Sequence, residues 1–377
     1  MSAPAGDVLR WVEIDVDTLA SNAATVAALV RPAEVMAMVK SNGYGHGMSI
    51  AARAALDGGA TWLGVYLPQE ALALRGAGFV APILVVGWSP ATMLEQLVAA
   101  NVDVSVFDAD GIRSLAAAAT ATGGRARAHL KIDTGLRRLG ALPERVDSIV
   151  KLLRGVEGSI ELAGVFTHFA DAGGDFDFTI AQHGRFLDAV EAVRTVAPHP
   201  LLHTSGSAAI FAHSDMHHDL VRLGIAFYGY PPVPAPVSLR IAMHVFSRVA
   251  QVRAVQPGDT VGYGRTWRAQ SPRRIATVAM GYGQGLPRAL SNRGHMAIRG
   301  RRCPIVGAVS MDQVTVDVTD GDGIVAGDAA MFIGERDGVR IGADEVGDLT
   351  GTLPHEVLCG IAEGIERLPG AATAALP

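Results

Sequence analysis

The chain has few cysteines. Cys303 and Cys359 are the only two among 377 residues, which is too few for a disulfide framework in a chain of this length. Neither lies beside a histidine in the sequence, and we predict that both are packed thiols rather than nucleophiles. So little cysteine is typical of a reducing compartment, and we predict a cytoplasmic location.

Runs of like charge are also absent. Lysine and arginine total 32 against 37 acidic residues, a net charge of -5 with both signs interspersed. Proteins that bind nucleic acids or anionic membranes carry clustered positive charge, so neither class fits. The balance favours a small molecule as the partner.

No segment has the length and hydropathy of a membrane span. The amino-terminal stretch MSAPAGDVLRW lacks the apolar core of a signal peptide and reaches charged residues at once. The longest uncharged run, Gly76 to Leu94, is interrupted by Pro82 and by Ser89-Pro90. We predict a loop, a buried strand and a second loop there.

What the chain does have is a regular alternation of two kinds of segment. Short apolar, β-branched runs recur near residues 35–40, 61–67, 81–87, 102–107, 126–132, 160–168, 200–204 and 219–228. Alanine- and leucine-rich segments of helical length separate them, such as PQEALALRGAG and IAQHGRFLDAVEAVRTV. This alternation over roughly 230 residues predicts a (β/α)8 TIM-like barrel, whose usual size is about 250 residues. A doubly wound open sheet is the alternative.

The pattern of predicted secondary structure changes near residue 237. Strand-like runs broken by turn signals follow, among them AMHVFSRVAQVRAV, RRIATVAMGYG, QVTVDV and GDAAMFIG. We therefore predict an α/β protein with two domains, a barrel over residues 1–236 and a mostly β domain over residues 237–377.

Polar side chains stand where several predicted barrel strands end. Lys40 ends the first run, and Lys131, His168, His203 and Arg222 occupy comparable places on later ones. Any one of them is explained by a solvated strand end. Because barrel chemistry takes place at the carboxyl ends of the strands, the five together predict a functional site.

A lysine in such a place suits one kind of chemistry. Desolvation and neighbouring cations lower the pKa of a lysine amine and make it a nucleophile for carbonyl compounds. Pyridoxal phosphate needs a lysine of this kind, a cradle for its phosphate and a residue opposite its pyridine nitrogen. Candidates for the cradle are the hydroxyls of Tyr44 and Ser207 and the backbone amides near Ser207, Gly224 and Ile225.

These residues lie in motifs that resemble those of a known family. The stretches VKSNGYGHG, KIDTGLRRLG, GVFTHF, HTSGSAA, VRLGIAFYG, VGYGRTW, GYGQG and PIVGAVSMDQ are similar, in this order, to the successive motifs of the alanine racemases of fold type III. The resemblance covers nearly the whole chain. It implies a pyridoxal-phosphate enzyme that interconverts L-alanine and D-alanine, supplies D-alanine for peptidoglycan and works as a homodimer with shared active sites.

The resemblance implies roles for individual residues. Lys40 would bind pyridoxal phosphate as an aldimine, Arg222 would face the pyridine nitrogen, and Arg138 would reach the phenolic oxygen and the substrate carboxylate. Lys131 is similar to a lysine that is carbamylated in many members and orients that arginine. Phosphate contacts are implied for Tyr44, Ser207, Gly224 and Ile225.

A second group of implied site residues comes from the carboxyl-terminal half. Tyr263 in VGYG matches the second catalytic base, with His168 as its hydrogen-bonded neighbour. Met311 and Asp312 match the substrate-carboxylate side, and Tyr263 and Met311 would enter the partner's site. Racemisation removes a proton from one face of a planar adduct and returns one to the other, so two bases on opposite faces suit it.

Arginine opposite the pyridine nitrogen has a chemical consequence. Because a guanidinium keeps its proton, the ring nitrogen stays unprotonated, which disfavours transamination and suits a racemase. The cationic neighbours His168 and Arg222 would also favour the phenolate form of Tyr263.

Three positions depart from the family's motifs and leave alternatives open. Gln284 stands where an acid is usual, Gly206 where asparagine is frequent, and Glu363 where members often show an Arg- or Tyr-bearing ending. A racemase of serine or another small amino acid is therefore an alternative. A single-domain, non-catalytic pyridoxal-phosphate homeostasis protein would lack the β domain, and a decarboxylase would carry a cysteine motif near residues 310–312.

Four further histidines are predicted to be structural. His213, His217 and His218 in HSDMHHD have a spacing like that of metal ligands, yet no cysteine or second acidic cluster accompanies them. We predict a loop there and no metal. His46 is predicted to be an ordinary residue of the loop after the first strand.

Overall fold

The structure, a computed structural model, describes residues 8–370. Its strands are β1 (Arg10–Asp15), β2 (Glu34–Met38), β3 (Trp62–Val65), β4 (Ile83–Val85), β5 (Asp103–Val106), β6 (Ala126–Lys131), β7 (Ile160–Phe166), β8 (Leu201–His203), β9 (Leu220–Leu223), β10 (Met243–Val255), β11 (Thr260–Val261), β12 (Trp267–Arg268), β13 (Arg273–Val278), β14 (His295–Ile298), β15 (Arg301–Pro304), β16 (Val314–Asp317), β17 (Ala329–Arg336), β18 (Val339–Ile341) and β19 (Arg367–Gly370). Its α-helices are α1 (Val16–Leu29), α2 (Lys40–Tyr44), α3 (Met48–Asp57), α4 (Pro68–Gly76), α5 (Ala91–Ala99), α6 (Ala109–Ala121), α7 (Val146–Gly155), α8 (Phe176–Val193), α9 (Ser207–Ala212), α10 (Ala343–Thr350) and α11 (Pro354–Cys359).

Strands β2 to β9 form one parallel sheet in the order β8-β7-β6-β5-β4-β3-β2-β9. The two ends of this order meet through a parallel bridge between Gly206 and Arg222, and the Arg222 amide donates to the Ser205 carbonyl at 2.8 Å. The sheet is thereby nearly closed into a barrel. Each strand expected from the sequence is present, so the (β/α)8 prediction is confirmed and the open-sheet alternative is wrong.

Local signals explain where several helices begin. Asp15, Asp108 and Asp175 are the N-cap residues of α1, α6 and α8, and each carboxylate accepts the backbone N–H three residues further on. The strands between the helices are apolar because both of their faces are covered, and every residue of β3 and β4 is buried. None of the helices within residues 8–370 combines the length and the hydropathy that a membrane span requires.

Strand β6 departs from this apolar pattern. Arg127, His129 and Lys131 alternate along it with alanine and leucine. The period of two places the three polar side chains on one face of the strand. His129 contacts residues of β5 and β8, so this face is turned to the barrel interior.

A second sheet is built around β10, a strand of 13 residues. Its order is β15-β14-β17-β10-β1-β19, with β13 also paired to β10, β16 to β13 and β18 to β17. The prediction of a mostly β carboxyl-terminal part is therefore confirmed. Strand β1 was not predicted: it precedes the barrel in the chain but pairs with β10 and β19, with Arg10 opposite Ser247. A domain boundary near residue 236 stays a prediction.

Arg367 ties the end of the β-rich part to the barrel mouth. Its Nε donates to the carbonyl of Gly45 at 3.0 Å, and its Nη2 donates to that of Ile361 at 3.0 Å. Its Nη1 donates to the carbonyls of Ala362 and Glu363 at 2.7 and 2.9 Å. One planar guanidinium that bonds several carbonyls fixes their relative positions. The segment that carries Glu363 is thereby held against the loop that follows β2.

Candidate active site

Lys40 follows the first barrel strand and opens a tight loop. The next four residues, Ser41 to Tyr44, have φ values of 53, 52, 62 and 50°, a left-handed conformation that costs a non-glycine residue about 1–2 kcal/mol. Side chains hold the loop in place: Asn42 Oδ1 accepts the amide of residue 48 at 2.9 Å, and Glu70 Oε1 accepts the Ser41 amide at 2.6 Å. Backbone strain that is held by surrounding contacts is frequent at functional sites.

The Lys40 side chain lies in a cavity of about 460 Å³ at the barrel mouth. The cavity is lined by Lys40, Ser41, Asn42, Tyr66, Leu67, Glu70 and Glu363. Lys40 Nζ lies 5.8 Å from the centre of the Tyr66 ring and 6.0 Å from that of Tyr44. Burial, and then the charge of Arg138, lower the pKa of Lys40 below its ordinary value. A partly desolvated amine of this kind can add to a carbonyl compound.

The hydroxyls of Tyr44 and Ser207 converge on the backbone of Gly224. Ser207 Oγ accepts the amide of Gly224 at 3.0 Å and that of Ala226 at 3.4 Å. A Cβ on Gly224 would lie 3.2 Å from Tyr44 Oη and 3.5 Å from Ser207 Oγ. Glycine therefore leaves open a space between two hydroxyls and a run of backbone amides that includes the buried Ile225. These groups fit the phosphate of pyridoxal phosphate.

Tyr44 is fixed by ring contacts. Its ring stacks on that of Tyr228 at 4.8 Å between centres and lies 5.9 Å from His355. Burial raises the pKa of Tyr44, so its hydroxyl keeps the proton and is a donor. His46 is fully buried, packs on Tyr228 at 4.4 Å and bonds the Tyr44 carbonyl through Nδ1 at 3.0 Å. His46 is thus a packing residue that supports the loop, more deeply placed than the sequence predicted.

Arg222 is buried on β9 among hydrogen-bond acceptors. Its Nη1 lies 2.7 Å from the His203 carbonyl and 3.1 Å from His203 Nδ1. Its Nη2 lies 2.6 Å from the Thr167 carbonyl, 2.9 Å from the Thr204 carbonyl and 3.2 Å from His168 Nδ1. Burial lowers the pKa of Arg222 to about 9, which leaves the guanidinium charged at neutral pH. Since a guanidinium only donates, both imidazole nitrogens that it contacts are acceptors.

Lys131 is the last residue of β6. Its Nζ lies 5.4 Å from the centre of the Phe166 ring. Burial, together with the charges of Arg222 and Arg138, lowers the pKa of Lys131 to about 8. A substantial share of this amine is therefore neutral near physiological pH.

Arg138 lies exposed on the loop after β6. The Asp133 carboxylate holds this loop by accepting the amides of residues 135, 137 and 138 at 3.0, 2.9 and 3.0 Å. The charge of Arg138 lowers the pKa of Lys40, Lys131 and His168. The guanidinium therefore stands near all three groups of the barrel mouth.

Tyr263 and Met311 lie outside the Lys40 cavity. Within one chain both are exposed, over 75% and 57% of their surface. A Cβ on Gly262 would lie 2.9 Å from the amide nitrogen of Ala308, so the loops that carry Tyr263 and Met311 are neighbours. One chain thus presents these two side chains together to its surroundings and does not bring them to its own Lys40.

Asp312 and Gln284 are bonded to each other beside Met311. Gln284 Nε2 donates to Asp312 Oδ1 at 2.9 Å, while Gln284 Oε1 accepts the Gly281 amide at 2.9 Å. Asp312 Oδ1 also lies 3.9 Å from Arg10. An amide can donate at one end and accept at the other, so glutamine at residue 284 joins the two loops without placing a second charge beside Asp312.

The remaining histidines and cysteines lie away from these groups. His213 and His217 bond carbonyls through Nε2 at 3.1 and 2.9 Å, and His218 Nε2 lies 2.8 Å from His183 Nε2. In the part of the chain that the structure describes, no three His, Cys, Asp or Glu side chains are grouped to hold a metal ion. Cys303 is buried, whereas Cys359 is exposed, so the prediction of a packed thiol is wrong for the latter.

Tyr66, Glu70 and Glu363 are among the lining residues of the cavity that were not predicted as site residues. Tyr66 and Glu70 flank the start of α4, where Glu70 Oε2 accepts the amides of Tyr66 and Leu67 at 3.0 and 2.9 Å. A carboxylate at the third position of a helix is a capping signal that the stretch LPQE does contain. Glu363 reaches the cavity from the far end of the chain, and no sequence pattern around it predicts that contact.

The fold and the site together are typical of barrel enzymes that work with pyridoxal phosphate. They combine a parallel barrel and a β-rich part with a desolvated lysine, a cradle suited to phosphate and a buried arginine. Residues 14–232 match the family model described as alanine racemase, N-terminal domain, and residues 242–369 match alanine racemase, C-terminal domain. The chain belongs to the alanine racemase family, whose members are pyridoxal-phosphate-dependent racemases.

Individual relatives agree with this membership. The alanine racemase of Desulfosudis oleivorans is 41% identical, over 96% of this chain and 97% of its own length. The solved alanine racemase of the D-cycloserine-producing Streptomyces lavendulae is 33% identical and superimposes with a TM-score of 0.92, covering 96% of this chain and 97% of that one. The Bartonella henselae alanine racemase, with covalently bound pyridoxal phosphate, is 28% identical with a TM-score of 0.87, over 96% of this chain and 100% of that one.

Proposed function

We propose that this protein interconverts L-alanine and D-alanine with bound pyridoxal phosphate, using Lys40 and Tyr263 as the two bases. The cofactor, when bound, withdraws electrons from Cα of the amino acid and so makes its proton acidic. The observation that carries the proposal is the Lys40 amine, whose pKa is lowered by burial in a cavity at the barrel mouth. The covalently held pyridoxal phosphate of the Bartonella henselae relative supports the choice of cofactor.

Lys40 would accept and return a proton at Nζ on one face of Cα. A lowered pKa raises the fraction of neutral amine at neutral pH, and only the neutral amine accepts a proton. The tight loop after Lys40 and the stacked ring of Tyr44 fix the place from which the side chain extends. This pre-ordering supports proton transfer between groups held in one geometry.

Tyr263 would serve the opposite face, and a second copy of the chain would supply it. Tyr263 and Met311 are exposed neighbours that do not line the cavity of their own chain, which supports an exchange of these loops between two copies about a two-fold axis. His168 would assist Tyr263. Its Nδ1 accepts from Arg222 at 3.2 Å, and burial and then the charge of Arg222 hold its pKa well below the ordinary value. His168 is therefore neutral, not the cation expected from the sequence, and its Nε2 carries a proton that it could donate to a phenolate oxygen.

The remaining site residues would bind pyridoxal phosphate and the substrate and hold them in place. Arg222 would face the pyridine nitrogen, and Arg138 would reach the phenolic oxygen and the substrate carboxylate. The neutral fraction of Lys131 supports its carbamylation, which would add a negative group to orient Arg138. Tyr44, Ser207, Gly224 and Ile225 would hold the phosphate, and Met311 and Asp312 would lie on the substrate-carboxylate side.

Alanine is the proposed preferred substrate, with serine second. One methylene in a tight pocket changes selectivity by only about 1–3 kcal/mol, so small amino acids compete most closely. Initial racemisation rates for alanine, serine, lysine and arginine test this order. Faster turnover of lysine or arginine would contradict it. A cytoplasmic location and a supply of D-alanine for peptidoglycan stay predictions from the sequence.

Borohydride reduction of the holoenzyme tests the assignment of Lys40. The sequence contains only three lysines, Lys40, Lys131 and Lys151, so peptide mapping has few outcomes to separate. We expect the pyridoxyl group on Lys40 alone, and Lys151→Arg, on the exposed face of α7, is the matched control that should label normally. A label on Lys131 or Lys151 would contradict the assignment. A protein that labels at Lys40 but racemises no amino acid would favour the homeostasis alternative.

A further inference from the structure

A line of buried polar side chains runs through the barrel from Arg222 away from its mouth. Arg222 Nη1 lies 3.1 Å from His203 Nδ1, His203 Nε2 lies 2.9 Å from His129 Nδ1, and His129 Nε2 lies 3.1 Å from Asp103 Oδ2. The exposed fraction is 5% for Arg222, 3% for Asp103 and 0% for both histidines. We call Asp103, His129 and His203 the barrel relay.

The chemistry of its two ends fixes the direction of every hydrogen bond. Arg222 can only donate, so His203 Nδ1 accepts and its proton is on Nε2. His203 Nε2 then donates to His129 Nδ1, which places the proton of His129 on Nε2 as well. That proton is donated to the ionised Asp103 carboxylate, which can only accept. All donors and acceptors match when both rings are neutral and carry the proton on Nε2.

The surrounding core is shaped for the two rings. A Cβ on Gly164 would overlap His129 Nδ1 and lie 2.6 Å from its Cε1, so glycine on β7 is what admits the ring. The β6–β7 register shifts at the same place. The His129 ring meets that of Trp62 edge-on at 5.6 Å, and the His203 ring stacks on Phe166 at 4.7 Å. Glycine inside a strand often marks a place where another group approaches closely, and here that group is the His129 ring.

The relay also links Arg222 to a carboxylate that it does not contact. Among residues 8–370, the ion pairs include none that Arg222 makes. Asp103 is paired on its other side with Arg127, whose Nε lies 3.2 Å away and whose Nη1 bonds Glu161 at 2.7 Å. Burial, and then Arg222, hold the pKa of His203 well below its ordinary range, so this ring stays neutral.

We propose that the barrel relay positions Arg222, because Asp103 fixes the tautomers of His129 and His203 so that His203 presents an acceptor to the guanidinium. The inference deepens the proposed function, on which it rests for the role of Arg222 at the pyridine nitrogen. Asp103, His129 and His203 are positioning residues, since they would act on the cofactor only through Arg222, at the end of the hydrogen-bonded line.

Asp103→Leu should reverse the direction of the hydrogen bond between His129 and His203. Without the carboxylate, His129 Nε2–H is a buried donor with no acceptor, which is costly. Moving the proton to Nδ1 turns His129 into a donor toward His203, which must then accept at Nε2 and carry its own proton on Nδ1. Two donors, His203 Nδ1–H and Arg222 Nη1, would then face each other at the place where 3.1 Å now separates donor from acceptor. Arg222 would be displaced.

The test is the tautomer of each ring, read from ¹⁵N chemical shifts in protein labelled with [¹⁵N]histidine. In the unaltered holoenzyme we expect His129 and His203 both protonated at Nε2, and in Asp103→Leu both at Nδ1. Arg127→Met is the matched control: it breaks the same ion pair with Asp103 but leaves the acceptor, so both rings should keep Nε2–H. His213 and His217, which bond carbonyls through Nε2 elsewhere, are internal references that should not change.

The relay should also act on turnover. Loss of one hydrogen bond to a charged group corresponds to about tenfold in rate, so Asp103→Leu should lower kcat for alanine about tenfold with little change in KM, and Arg127→Met should leave both near the unaltered values. An Nδ1 proton on either ring of the unaltered protein would overturn the proposal, even if Asp103→Leu fails to fold. Unchanged tautomers in a folded Asp103→Leu variant would overturn it too. If the tautomers are as expected but alanine is not racemised, the proposed function fails and the relay does not.

Discussion

Ser207→Ala is expected to weaken the binding of pyridoxal phosphate and to spare that of pyridoxal, which lacks the phosphate. Ser207 Oγ is one of two hydroxyls around Gly224, and it lies 3.5 Å from the place that a Cβ on this glycine would take. A hydrogen bond to a charged group contributes about 1.5–3 kcal/mol, so losing one should lower the affinity for pyridoxal phosphate by about tenfold or more.

Ser205→Ala is the matched control for this change. Ser205 is fully buried two residues earlier, and its Oγ donates to the Met216 carbonyl at 2.8 Å, away from Gly224. Each alanine variant should lose about 1 kcal/mol of free energy of unfolding in the apoprotein, because each removes one buried hydroxyl with its hydrogen bonds. Only Ser207→Ala should change the ratio of the affinity for pyridoxal phosphate to the affinity for pyridoxal.

Titration of the apoprotein with either compound, followed by absorbance, measures this ratio. We expect Ser207→Ala to lower it by about tenfold or more, and Ser205→Ala to leave it unchanged. If Ser207→Ala weakens pyridoxal and pyridoxal phosphate equally, the hydroxyl does not contact the phosphate and the cradle is misassigned.

Three further predictions follow from the charged groups of the barrel mouth. Burial with Arg222 and Arg138 lowers the pKa of Lys131 to about 8, so the ¹³C signal of a carbamate formed from labelled bicarbonate should grow as pH rises through 8 and be lost in Lys131→Arg; a signal independent of pH would contradict this. Arg222→Glu should slow racemisation and raise the yield of pyruvate per turnover, because an acid can protonate the pyridine nitrogen; an unchanged ratio would remove Arg222 from that role. Arg367→Ala should lower the free energy of unfolding, measured in urea, by about 2–3 kcal/mol, because several backbone carbonyls lose their hydrogen-bond donor. The exposed Arg253→Ala should change it by less than about 0.5 kcal/mol. Equal effects of the two substitutions would refute the role given to Arg367.

The barrel could be predicted from the sequence because its signals are local. Each strand is a short apolar run, several of the helices begin at a capping residue, and Lys40 falls where the first run ends. Strand β1 was missed because its partners are distant: Arg10 pairs with Ser247, and nothing in RWVEID points to them. Pairings between residues so far apart follow from the packed fold rather than from local propensity.

The site was only partly predictable for the same reason. Side chains at strand ends converge by topology, so Lys131, His168 and Arg222 could be grouped in advance. Asp103 and His129 lie inside β5 and β6, and the 3.1 Å contact between their side chains depends on the pairing of these two strands, which no local pattern specifies. Pairing Tyr263 with Lys40 rests on the family resemblance, since one chain leaves Tyr263 exposed.

Refolding a mixture of two inactive variants tests the central claim most directly, namely that Lys40 of one chain and Tyr263 of another act in one site. Lys40→Ala and Tyr263→Ala dimers should each be nearly inactive, because every site lacks one base. In a mixed dimer one site carries both changes, while the other has intact Lys40 and intact Tyr263. Random pairing of equal amounts gives about half mixed dimers, so about a quarter of all sites should regain activity. Activity that stays at the level of the parent variants, in samples shown by mass to contain mixed dimers, would contradict the shared site.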